Sequence, residues 1–116
     1  MPIVDVEIVE GAIAGKTTRA LADAIGKAFG ADPGRVWVRA RSLPAAAYAE
    51  NGREAPQPVF VTITASRPPQ GQELRRIIAI IVEDVARITR REAEHVHVEF
   101  APAARGRIAF GGRLVE

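Results

Sequence analysis

Pro2 is the residue of this sequence best placed to do acid-base chemistry. An initiator methionine is removed efficiently before a residue as small as proline, so we expect Pro2 to carry a free secondary amine at the chain end. An α-amino group has an ordinary pKa of about 8, and burial in an apolar pocket or a nearby arginine lowers that pKa by disfavouring the charged form. Such an amine is a neutral base near pH 7, able to take a proton beside a carbonyl. The simpler interpretation is that the proline only starts a strand.

The first half of the chain predicts the elements that would hold this amine in place. Apolar and β-branched residues alternate over 2–9 and predict a strand that begins at the proline itself. Apolar residues at helical spacing predict a helix over 17–29. Alternation over 36–41 predicts a second strand, and the stretch 42–58, rich in Ala and Pro, predicts a loop with a short helical turn or hairpin. The terminal amine would therefore have a rigid position.

The second half repeats this order of elements. The sequence predicts a strand over 58–65, a helix over 72–91 and a last long strand over 96–100. A β-α-β unit has parallel strands with its helix on one face. Two such units joined edge to edge predict an α/β (α+β) fold, with a four-stranded mixed sheet and two helices on one face.

The length and the repeat together predict the domain organisation. A chain of 116 residues has room for one core, so we expect one domain over 1–116, with pseudo-repeats 2–57 and 58–116. The predicted sheet has one face without helices, and its strands carry apolar residues on both faces. Packing several sheets around an axis would bury the uncovered face, so we expect a closed homo-oligomer.

Composition excludes several classes of function. Hydrophobic residues make up 47% and charged residues 26% of the chain, which is typical of a folded globular protein. Without Cys and with only 2 His, we predict neither a metal nor a cofactor. The net charge of +2 comes from scattered basic residues without an aromatic RNA-binding signature, so we expect no nucleic acid partner. No segment approaches the roughly 20 apolar residues of a membrane span, and we expect a cytoplasmic protein that binds no membrane.

Three motifs resemble those of the tautomerase superfamily, which includes 4-oxalocrotonate tautomerase and macrophage migration inhibitory factor. These motifs are the opening MPIV (1–4), the strand end IVEG (8–11) and the glycine-rich tail RGRIAFGG (105–112). With the tandem repeat, they are most similar to the fused type, in which one chain does the work of two short subunits. The resemblance implies a homotrimer of tandem β-α-β chains. It also implies an isomerase in which Pro2 is the general base.

The resemblance transfers residue roles unevenly. Short members carry an arginine just after the first Glu-Gly, where this chain has Ala12. In fused members the arginines come from the turn after the third strand, and here Ser66-Arg67-Pro68 looks like the Ser-Arg-Pro of malonate semialdehyde decarboxylase-type members. Arg67 is therefore the catalytic candidate that would hold the carboxylate of a small anionic substrate, because a guanidinium matches carboxylate geometry.

The resemblance also implies a set of substrate-binding candidates around Pro2. The last long strand of a neighbouring subunit lines the pocket in fused and cytokine-like members, and alternate residues of that strand share one face. The other candidates occupy the second strand, the loop after it and the tail. The full set is His97 and Glu99 on the last strand, Trp37 and Arg39 on the second strand, Tyr48 in the loop and Ile108 in the tail. A polar outer face explains His97 and Glu99 equally well.

Three functions remain open at this level. The first is enol-keto proton transfer on a small 2-oxo or 2-hydroxy unsaturated carboxylate, with Pro2 as base and Arg67 holding charge. The second is decarboxylation or hydration with a cationic Pro2 as acid, for which Glu99 is the available carboxylate. The third is a non-catalytic oligomeric binding protein.

Overall fold

The computed structural model describes residues 2–116 and contains two helices and six strands in that range. Met1 lies outside the described residues, and so does the expectation that it is removed. The elements in chain order are β1 (Ile3–Val9), α1 (Gly15–Ala28), β2 (Trp37–Leu43), β3 (Val59–Thr64), α2 (Gly71–Thr89), β4 (Val96–Phe100), β5 (Ala109–Phe110) and β6 (Arg113–Leu114). Short 3-10 turns at Ala45–Ala47 and Ala93–His95 precede the third and fourth strands.

The main sheet has the order β2-β1-β3-β4, and its pairing follows the two halves of the chain. Strand β1 pairs in parallel with β2, and β3 pairs in parallel with β4, so that each half is one β-α-β unit. The two units join where β1 and β3 run antiparallel. This confirms the predicted four-stranded mixed sheet. A separate two-stranded hairpin, β5-β6, ends the chain.

The core lies between the two helices and one face of the sheet. Alternate residues of β1 and β3 point toward the helices, because successive side chains of a strand face opposite ways. Each large aliphatic side chain buried in this way contributes about 1.5–3 kcal/mol. The residues at the centre of this core are Val4, Val6, Val61 and Ile63 from the sheet and Leu21, Ile25, Ile77, Ile81 and Val85 from the helices.

The opposite face of the sheet carries apolar residues at Ile3, Trp37 and Phe60, but its centre is polar. Its central row contains Arg39, Asp5, Thr62 and Glu99, which the strand register places side by side. The apolar residues counted for the strands belong mainly to the helix-covered face. An oligomer that buries this open face would therefore have to accommodate charge.

Strand β2 extends two residues further than the sequence suggested. Ser42 and Leu43 were expected in the loop, but they pair with Ile8 and Val9 of β1 and continue the strand. The N–H of Glu10 then donates to the carbonyl of Leu43 at 2.7 Å. Backbone pairing with an adjacent strand thus outweighs the local turn preference of this segment.

Candidate functional site

Pro2 lies buried at the first position before β1. Its carbonyl oxygen accepts a hydrogen bond from the N–H of Trp37 at 3.2 Å, which fixes the chain end against β2. Pro2 lines a cavity of about 420 Å³. The other residues of this cavity belong to the end of α1 and the turn after it: Phe29, Gly30, Ala31, Asp32 and Arg35. The wall next to Pro2 therefore combines an aromatic ring with one guanidinium and one carboxylate.

The turn between α1 and β2 brings this wall to Pro2. Gly30 and Gly34 have positive φ angles of 62° and 78°, which glycine adopts without the steric cost that a Cβ brings. The N–H of Arg35 donates to the carbonyl of Asp32 at 3.1 Å and closes the turn. The ring of Phe29 packs edge-on against Phe100, with the ring centres 6.3 Å apart. The cavity wall is thus held by turn geometry and by aromatic packing.

Sequence reasoning missed Arg35 and Asp32 as site residues. The sequence did contain a usable signal. The turn 32–35 directly precedes β2, and the first residue of β2, Trp37, pairs with Ile3 at the start of β1. Only the closeness of that turn to Pro2 makes the two charges relevant, and that closeness depends on how α1 packs across the sheet.

Arg67 lies at the same end of the sheet as Pro2. Strand β3 runs antiparallel to β1, and Thr64 lies opposite Ile3. The residues after Thr64 therefore continue at the end of the sheet where Pro2 lies. Arg67 is exposed and stands three residues beyond Thr64. The structure therefore places Arg67 and Arg35 on two different elements at the end of the sheet that carries the Pro2 amine.

Trp37 and Ile108 belong to the contact between β2 and the terminal hairpin. The indole ring of Trp37 lies 4.5 Å from the ring of Phe110, measured between ring centres. The carbonyl of Ile108 accepts the N–H of Val115 at 2.9 Å, which holds the hairpin closed. Trp37 keeps 36% of its surface exposed. The hairpin thus covers part of the open face close to Pro2, with aromatic packing as the contact.

Arg39 lies in the middle of the open face and is already engaged. Its guanidinium donates to both carboxylate oxygens of Asp5, at 2.8 and 3.0 Å. This hydrogen bond, together with the charge of Asp5, raises the pKa of Arg39 above its usual value. Binding a substrate carboxylate at Arg39 would require this pair to be shared or broken.

Tyr48 and His97 lie toward the other end of the sheet from Pro2. Both rings contact Phe60, with ring centres 5.7 Å apart for Tyr48 and 5.4 Å for His97. Phe60 pairs with Glu7, five residues along β1 from Pro2. At about 3.3 Å per residue this separation is roughly 17 Å. Within one subunit these candidates and the Pro2 amine belong to different regions.

Tyr48 is held by a strong hydrogen bond of its own. Its hydroxyl donates to the Glu50 carboxylate at 2.6 Å, and the guanidinium of Arg53 donates to the same carboxylate at 2.9 Å. The hydrogen bond raises the pKa of Tyr48, and the same bond lowers the pKa of Glu50. The phenol is therefore oriented along the loop after β2.

One group of three possible metal donors occurs within residues 2–116. Ligand atoms of Glu92, Glu94 and His95 lie within 4.8 Å of one another, and both carboxylates are exposed. Nε2 of His95 lies 3.7 Å from Oε1 of Glu94. This group precedes β4, at the opposite end of the sheet from Pro2. Neither helix in this part of the chain is long and apolar enough to cross a membrane.

Solved structures of fused 4-OT and of a cis-3-chloroacrylic acid dehalogenase family member share this fold. A fused 4-OT symmetric trimer matches with a TM-score of 0.79 and 18% identity. Pt0534 inactivated by 2-oxo-3-pentynoate matches with a TM-score of 0.81 and 20% identity. Both alignments cover 97% of this chain and 94% of the other. N1, a member of the cis-3-chloroacrylic acid dehalogenase family, matches with a TM-score of 0.79 and 24% identity. This alignment covers 98% of this chain and 83% of the N1 chain. No family model and no curated protein sequence matches the chain.

Proposed function

We propose that this protein is an isomerase that moves a proton between the enol and keto forms of a small 2-oxo or 2-hydroxy unsaturated carboxylate. The observation that carries the proposal is the position of Pro2, buried at a cavity that also contains Phe29 and Arg35. An apolar ring disfavours a charged amine, and a neighbouring cation does the same. Both neighbours therefore favour a neutral, basic Pro2 nitrogen, whereas the Asp32 carboxylate in the same cavity favours the charged form.

The proposed reaction needs one base and one group that holds negative charge. In the ketonisation direction the Pro2 nitrogen accepts the proton of the 2-hydroxyl group while the carbon–oxygen bond becomes a carbonyl. The resulting ammonium donates a proton to the substrate carbon, and the amine returns to its neutral form. Arg67 and Arg35 hold the carboxylate and stabilise the enolate charge that develops between the two transfers.

The remaining predicted pocket residues require an oligomer. His97 and Tyr48 lie toward the other end of the sheet from Pro2, and Glu99 lies on β4, two strands from β1. We propose that they contribute to a Pro2 site across a subunit contact. A homotrimer would supply that contact, and the fused 4-OT with this fold is described as a symmetric trimer. We propose the same assembly here, with each pocket shared between two subunits.

Ketonisation of phenylenolpyruvate and 2-hydroxymuconate tests the function. The protein is prepared with a free Pro2, confirmed by mass spectrometry, and compared with its Pro2→Ala variant. A form with an uncleaved N-terminal tag is the matched control, because it has the same fold and no free amine. We expect the free-amine wild type alone to accelerate ketonisation at full rate. Equal rates for the free and tagged forms would contradict the proposal.

A second candidate function rests on the carboxylate of Asp32 in the same cavity. A carboxylate beside a cationic Pro2 could activate water for hydration, or assist decarboxylation, with the ammonium as the acid. The two functions differ in pH dependence: kcat/KM rises with pH through the pKa of Pro2 if the amine is a base, and falls if the ammonium is an acid. A non-catalytic binding protein would turn over none of these substrates.

A further inference from the structure

A second cavity lies at the opposite end of the sheet from Pro2. Its volume is about 400 Å³, and it lies between the turn after β1 and the C-terminal end of α2. Three basic side chains line it: Lys16 from α1, and Arg90 and Arg91 from the end of α2. Glu10 is the carboxylate-bearing residue of this lining.

This cavity is the counterpart of the Pro2 site in the internal repeat. The Pro2 site lies at the start of β1, beside the turn after α1 and the turn after β3. The second cavity lies at the end of the sheet where β3 starts, beside the end of α2 and the turn after β1. Exchanging the two halves of the chain converts one description into the other.

The residue that corresponds to Pro2 cannot act as a base. Pro58 is fully buried before β3, and its carbonyl accepts the N–H of Val9 at 3.1 Å. Because Pro58 lies within the chain, its nitrogen is a tertiary amide without a basic lone pair. Pro58 also does not line the second cavity, which therefore has no counterpart of the Pro2 amine.

The basic residues of this cavity are arranged to hold an anion. Nη1 of Arg91 donates to the carbonyls of Val9 and Gln57, at 3.0 and 2.6 Å, so this guanidinium is fixed in place. Nη2 of Arg91 points toward Gly11, where a Cβ would lie 3.4 Å from it and would also clash with the side chain of Ile8. The glycine is required by the close approach of Ile8, and the turn after β1 lies in ordinary contact with the guanidinium.

The single carboxylate of the lining is engaged elsewhere. Oε2 of Glu10 accepts the N–H of Ala45 at 2.6 Å, on the loop after β2. Within residues 2–116, no ion pair involves Lys16 or Arg90, and both side chains are exposed. Three cations against one carboxylate leave the lining net positive, and a positive concave surface attracts an anion.

We propose that this cavity is a second, non-catalytic site that binds a small dicarboxylate. Lys16 comes from one helix, and the two arginines come from the other, so the cations approach the cavity from two sides and match two separated carboxylates. Guanidinium groups form bidentate pairs with carboxylates, as they also do with phosphates. The site binds its ligand and leaves it unchanged, because no terminal proline amine lies in its lining.

Titration with succinate, followed by backbone amide NMR of the full chain, tests this site independently of any enzymatic activity. We expect saturable shifts in residues 10–17 and 88–91. A parallel titration with inorganic phosphate distinguishes the carboxylate from a general oxyanion, and we expect weaker binding of phosphate. Binding of phosphate as tightly as succinate would overturn the assignment to a dicarboxylate.

Two charge-removing variants and one control complete the experiment. Arg90 ends α2 with a φ of 57°, a conformation that asparagine tolerates well, so Arg90→Asn removes the charge without straining the backbone. With Lys16→Gln, we expect each variant to weaken succinate binding about tenfold. Arg75→Gln, which removes an exposed charge elsewhere on α2, should leave it unchanged. The proposal is wrong if a variant that combines Lys16→Gln and Arg90→Asn binds succinate as the wild type does, or if the wild type shows shifts only around Pro2.

Discussion

Replacing Arg35 by Gln tests whether the cavity at Pro2 binds the substrate carboxylate. Arg35 is fixed at the backbone by its hydrogen bond to Asp32, while its side chain is exposed at the cavity edge. A hydrogen bond to a charged group contributes about 1.5–3 kcal/mol, and solvent screening at an exposed side chain favours the lower part of that range. A loss of about 2 kcal/mol corresponds to a drop in kcat/KM of roughly thirtyfold.

The assay is steady-state ketonisation of phenylenolpyruvate, which separates KM from kcat. A carboxylate is bound in both the ground state and the transition state, whereas the enolate charge develops only in the transition state. We therefore expect Arg35→Gln to raise KM and also to lower kcat. Arg35→Lys should recover part of the loss, and Arg75→Gln should have no effect.

The double variant with Arg67→Gln tests whether both arginines hold the same carboxylate. If they do, the combined loss with a monocarboxylate substrate is smaller than the product of the two single losses, because the residues share a partner. An unchanged KM in both single variants would refute the assignment of this end of the sheet as the carboxylate site.

Three further predictions concern stability and local packing. Gly26→Ala should stabilise α1 by about 1 kcal/mol, because a Cβ at this position meets no atom within 4 Å. The gain should appear as a higher midpoint of urea unfolding, and a lower midpoint would contradict it. Phe110→Ala should detach the hairpin from Trp37 and shift the emission of this single tryptophan to longer wavelength, whereas an unchanged spectrum would argue against the ring contact. Tyr48→Phe should lower Tm near pH 7. The hydrogen bond from Tyr48 lowers the pKa of Glu50 in the folded state. Its stabilisation is therefore present above the ordinary pKa range of a carboxyl group and is lost when Glu50 is protonated. The Tm difference between wild type and Tyr48→Phe should disappear near pH 2.

The elements of the fold were predictable because their hydrophobic patterns are strong. The strand 96–100 was predicted with the bounds that the structure has, and the helix predicted over 72–91 occurs as Gly71–Thr89. The polar centre of the open sheet face was not predicted. Counting apolar residues along a strand does not say which face they occupy until the register with neighbouring strands is known.

The residues around Pro2 were predictable only in part. Arg67 could be placed near Pro2 from the order of strands, because a turn after β3 must lie beside the start of an antiparallel β1. Arg35 escaped notice because its position depends on tertiary packing of α1. The roles of His97 and Tyr48 depend on subunit contacts, which a single sequence does not encode in any local pattern, and they stay predictions.

Covalent labelling with 2-oxo-3-pentynoate tests the central claim most directly, namely that Pro2 is a reactive neutral amine in a carboxylate-binding cavity. The reagent is an electrophilic alkynyl 2-oxo acid, which a neutral amine attacks by conjugate addition, and it inactivates a protein of the same fold. Peptide mapping after labelling near pH 7 should find one adduct per chain on Pro2, with Lys16 and Lys27 unmodified as internal controls. An unlabelled Pro2, or equal labelling of Pro2 and the lysines, would contradict the account.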